Sequence, residues 1–111
     1  MRPSSLRSVA LLVFLLLVAV AAGCSAAPPV QEMSDARQAI AAAREAGAEE
    51  LAPTGLAEAE VLLDGAEDYL ELGTSASYWQ ARKAAISAKE VAFEALLTTR
   101  DAQDAAAGRT R

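Results

Sequence analysis

Cysteine is the natural place to look for chemistry in this chain, and it occurs once, as Cys24, directly behind an apolar run. A thiol becomes a nucleophile or a metal ligand beside histidine or further cysteines, and the chain has no histidine at all. The common metal sets, the usual general base and every Ser-His or Cys-His pair are therefore missing. Carboxylates are plentiful, with 15 Asp and Glu. A pair of them could exchange protons, but one Trp, two Tyr and the single Phe beyond the leader make a poor cleft around it. The expectation is a protein with no catalytic residues, no cofactor and no metal.

The residues ahead of Cys24 have the three parts of a secretory signal. Arg2 and Arg7 form a basic start, Val9 to Ala22 is an apolar run of 14 residues, and the end is made of small residues. As a helix that run reaches about 21 Å, short of the roughly 30 Å hydrocarbon core. A cleaved signal over residues 1–23 fits better than a retained span.

Two processing routes are open. Ala19-Val20-Ala21 suits ordinary signal peptidase, which would leave Cys24 as a free thiol without an internal partner in an oxidising compartment. Ala21-Ala22-Gly23-Cys24 resembles the lipobox of bacterial lipoproteins, with alanine where leucine is usual three residues before the cysteine. That resemblance implies a diacylglyceryl thioether on Cys24, cleavage before it and acylation of the new amino group. Several acyl chains anchor stably where one is marginal. Ser25 stands where an aspartate would signal inner-membrane retention, so the resemblance points to the outer membrane, facing the periplasm.

Cys24 to Arg111 is 88 residues, room for one small domain. Without Arg2 and Arg7 it carries 15 acidic against 8 basic residues, a net of −7, which argues against nucleic acid as a partner. Residues 24–33 include Pro28-Pro29 and lack periodicity. They read as the modified cysteine and a flexible tether, and Ser25 to Met33 in polyproline-like extension would reach about 28 Å.

Residues 34–108 read as an α-helical domain, with a tail at 109–111. A first helix is predicted from Asp35 to Glu50, capped by Ser34, with Ala36, Ile40, Ala43, Gly47 and Leu51 on one face. A second runs from Thr54, after Pro53, to Leu72, with Gly73 as its C′ residue and Gly65 inside it marking tight packing. Ser77 and Gln80 suggest a capping box for a third, ending near Ala107. This third helix offers two stripes: small residues at Ala81, Ala85, Ala88, Ala92 and Ala95, and Trp79, Ile86 and Phe93 spaced by seven.

Folding the second and third helices about Gly73 to Ala76 sets Leu70 against Trp79, Leu63 against Ile86 and Leu56 against Phe93. The same register pairs Glu67 with Arg82 and Glu60 with Lys89. The expected fold is all-α: an antiparallel helical hairpin extended to a small three-helix up-down-up bundle. Pro53 and Gly55 favour a turn before the second helix over one long kinked arm.

Between Arg44 and Arg82 lie nine carboxylates and no basic residue. Glu60, Asp64, Glu67, Asp68 and Glu71 form an acidic ridge, read first as a solvated face and second as a docking face for a basic partner. Along one helix it does not converge as calcium requires. Tyr78 and Trp79, beside the hairpin turn, read first as core and lid, and second as part of a partner face.

The stretch DARQAIAAAREAGAEELAPTGLAEAEVLLDGAEDYLELG resembles the bacterial domain-of-unknown-function family 4398, small alanine-rich helical lipoproteins whose module also precedes peptidoglycan-binding domains. The likeness covers Asp35 to about Ala95, and its most specific element is GAEELAP followed by a leucine, Gly47 to Leu56. The chain departs after Gly73, where GTSASYWQA, Gly73 to Ala81, is three residues longer than the family's turn. The resemblance implies a cell-envelope location and no defined activity. The expected role is a structural or adaptor module of the envelope, held to the membrane through Cys24, with an envelope protein or a second copy as partner. The alternative is a ligand- or peptide-binding lipoprotein using a tetratricopeptide-like groove.

Overall fold

The computed structural model describes residues 3–24 and 27–109, and side chains at 4–19 and 27–109. The described chain is all-α, with no strand: α1 (Pro3–Cys24), α2 (Val30–Ala46), α3 (Ala48–Leu51), α4 (Pro53–Leu72) and α5 (Ser75–Arg109). Among the described residues α1 packs against no other helix, and its leucines and valines are exposed.

Backbone geometry explains where the helices stop. Gly47 has φ +106 and donates its N–H to the Ala43 and Arg44 carbonyls, so α2 ends there instead of running on to Glu50. Residues with a Cβ rarely adopt that conformation. The single turn of α3 and the non-helical Ala52 then lead to Pro53, the first residue of α4, where its missing N–H costs nothing. Gly73, with φ +69, closes α4 as its sequence position indicates. The box opening α5 lies three residues before the predicted one. Thr74 Oγ1 accepts the Ser77 N–H at 3.0 Å, and Ser77 Oγ accepts the Thr74 N–H at 2.9 Å.

α2 starts at Val30, five residues before the predicted Asp35. Pro29 is buried, Met33 is only 1% exposed, and the Ala27 carbonyl accepts from Arg82 Nη2 at 3.3 Å. Ala27 to Met33 is thus docked on the helical body, where an extended tether was expected. The apolar Pro29 ring and Met33 side chain have more to gain from packing than from solvation, while Glu32 between them pairs with Arg82.

α4 runs antiparallel to both neighbours, and α2 parallel to α5. Arg37 and Arg44 meet Glu67 and Glu60, Gly55 lies against Ala95, and Glu32 and Ala46 meet Arg82 and Gln103. The core is largely alanine, in two clusters. One joins Ala39, Ile40 and Ala43 to Leu56, Ala59, Ala92 and Leu96; the other joins Met33 and Ala36 to Ala66, Ala85 and Ala88.

The α4–α5 register agrees with the prediction to within a residue, but the face of α5 does not. Ala81, Ala85, Ala88, Ala92 and Ala95 are buried, whereas Trp79, Ile86 and Phe93 are 58%, 42% and 46% exposed. Leu56 shares its cluster with Ala92, so the helix is turned by one residue, about 100°, from the predicted face. Two helices, α2 and α4, converge on α5, and only its small stripe lets both approach closely. Gly65 has open space around it; Gly55 is the close-approach glycine.

Candidate functional site

Cys24 is the last residue of α1, and its side chain and Ser25 lie outside the described part, as do Ala21 to Gly23 beyond their backbone. Only Ser25 and Ala26 separate it in sequence from Ala27, where the chain is already fastened to Arg82. Arg82 is in turn held by Glu32, Nε to Oε1 at 3.1 Å. The cysteine therefore belongs to one end of the body, formed by the start of α2, the end of α4 and the start of α5.

The acidic ridge divides into two kinds of residue. Glu67 receives Arg37 Nη2 at 2.9 Å, and Glu60 pairs with Arg44, which also lies 3.6 Å from Glu49. The arginines of α2 thus neutralise two of the five ridge residues, and Arg82 and Lys89 do not supply the predicted pairs. Arg37 and Arg44 were the residues missed in sequence, although their spacing of seven matches that of Glu60 and Glu67. Asp64 lines a shallow groove with Ile40, Arg44, Glu60 and Leu63, while Asp68 and Glu71 are exposed. Among the described residues no three acidic or thiol side chains come together to hold a metal ion.

Buried polar side chains are also accounted for. Thr99 Oγ1 donates to the Ala95 carbonyl at 2.8 Å, Ser77 is bound within its cap, and no described buried side-chain polar atom lacks a partner. Gln103 Nε2 donates to the Ala46 carbonyl at 2.7 Å, satisfying one open end of α2. The grooves are shallow and open. One, of about 330 Å³, runs past Leu51, Pro53 and Gly55 and is edged by Thr54, Glu58, Glu94 and Thr98. A second, of about 290 Å³, lies between Asp35, Ala39, Lys89 and Phe93.

Tyr78 and Trp79 part company. Tyr78 is half-buried, with its hydroxyl beside Gly73, and acts as the lid of the turn. Trp79, expected in the core, stands out in solvent because α5 turns its alanines inward. With these placements in hand the comparisons are brief: no family model, no curated protein and no solved structure matches this chain.

Proposed function

We propose that the protein is a lipid-anchored module of the bacterial cell envelope, acylated on Cys24, held at the outer membrane and facing the periplasm. It serves as a structural or adaptor component without catalysis. On this reading α2, α4 and α5 form a small up-down-up bundle, and α1 is the leader removed before Cys24. The observation carrying the proposal is the Ala-Ala-Gly-Cys sequence at the end of an apolar helix that no other helix covers. A helix apolar all round needs a nonpolar partner, and among the described residues no other helix supplies one. The resemblance of Asp35 to Ala95 to family 4398 lipoproteins supports the same location.

The buried alanine stripe weighs against the alternative of a ligand-binding groove. Close packing of Ala81 to Ala95 fills the seam between the helices, and the open groove beside Phe93 is edged by Asp35 and Lys89. Fractionation tests the anchor. Cys24→Ser should move the protein from the membrane to the soluble periplasmic fraction, and a variant that stays with the membrane would refute the proposal.

A further inference from the structure

The chain's only tryptophan and both of its tyrosines fall within six residues of Gly73: Tyr69, Tyr78 and Trp79. They sit at the end of the body where the segment following Cys24 is fastened. Trp79 lies one helical turn before Arg82, the residue that holds Ala27. Two aliphatic residues join them there, Leu72 at the end of α4 and Val30 at the start of α2, which are 67% and 66% exposed. Beyond Thr99 the opposite end of α5 reads RDAQDAAAGR and carries no aromatic residue.

From this arrangement we infer that this end rests in the headgroup region of a lipid bilayer, with Trp79, Leu72, Val30 and Tyr69 entering the interface. The inference builds on the proposed acylation of Cys24. Three residue steps from Ala27 to Cys24 span at most about 11 Å, so an acylated Cys24 leaves the end no room to stand away from the surface. Tryptophan and tyrosine are the side chains that favour this boundary, with apolar rings and one polar edge. An anchored body also needs little affinity for the contact, because binding has become intramolecular. Burial of these side chains, not charge, makes the contact, since Asp68 and Glu71 lie beside them.

The test uses residues 24–111, whose core clusters draw nothing from α1. The Cys24 thiol is coupled to a maleimide lipid in phosphatidylcholine vesicles, which supplies an anchor whatever the cell attaches. Trp79 then reports alone. Its emission should shift to the blue relative to the uncoupled chain, iodide should quench it less, and lipids brominated high on the acyl chain should quench it. Val30→Asp with Leu72→Asp should reduce the bromine quenching while leaving the circular dichroism unchanged. Emission and iodide quenching equal to those of the uncoupled chain would overturn the inference. A blue shift without bromine quenching would also overturn it, and would place a second copy over Trp79. Acylation in the cell is read separately, from the mass of the native N-terminal peptide, so neither failure imitates the other.

Discussion

Gly55 and Ala95 meet so closely that a Cβ placed on Gly55 would lie 3.2 Å from the Ala95 methyl. Neither backbone can yield without moving a helix, so this contact sets the spacing between the start of α4 and the middle of α5. Gly55→Leu should destabilise the domain by about 1–3 kcal/mol through overpacking. Gly65→Ala, with open space around it, should stabilise by about 0.5–1 kcal/mol through helix propensity. Urea melts of residues 24–111 compare the two, and equal effects would contradict the packing described.

The two stripes of α5 give a second contrast. Ala92→Leu forces three extra carbons between α2, α4 and α5 and should cost about 1–3 kcal/mol. Phe93→Ser, its neighbour in sequence, lies outside the seam. Its cost should stay well below the roughly 3–5 kcal/mol expected for truncating a buried phenylalanine. Thermal melts of the two variants decide which stripe forms the core.

Gly73 announces itself because few other residues adopt a left-handed backbone, and Pro53 because a helix accepts proline freely only in its first turn. The face of α5 was not legible from the hairpin alone. Trp79, Ile86 and Phe93 make the stronger apolar stripe for one partner, but α5 has two, and close approach on both sides selects the alanines. Charge could not correct this, since Arg82 and Lys89 are seven apart just as Arg37 and Arg44 are. The acidic ridge fits either set, and only packing chooses. Pro28-Pro29 concealed the docked segment, because the same dipeptide serves an extended tether and the approach to a helix.

Arg37 and Glu67 supply the test of that choice. A double-mutant cycle with Arg37→Ala and Glu67→Ala should give a coupling of about 0.2–1 kcal/mol, falling with added salt, as for exposed pairs. The same cycle on Arg82 and Glu67 should give none within error. Coupling confined to Arg82 and Glu67 would restore the predicted register face.

The cap on α5 is a separate local feature. Thr74→Ala removes the acceptor of the Ser77 N–H and should cost about 1 kcal/mol. Gln80→Ala, at an exposed position with no part in the cap, should change the melting temperature little.

The proposed membrane anchor stands or falls on the chemistry at Cys24. Mass spectrometry of the N-terminal peptide of the mature protein, taken from bacterial membranes, tests it directly. The predicted peptide begins at Cys24 and carries the added mass of a diacylglyceryl group with an acylated amine. A peptide beginning at Ala22 with Cys24 as a free thiol would contradict it.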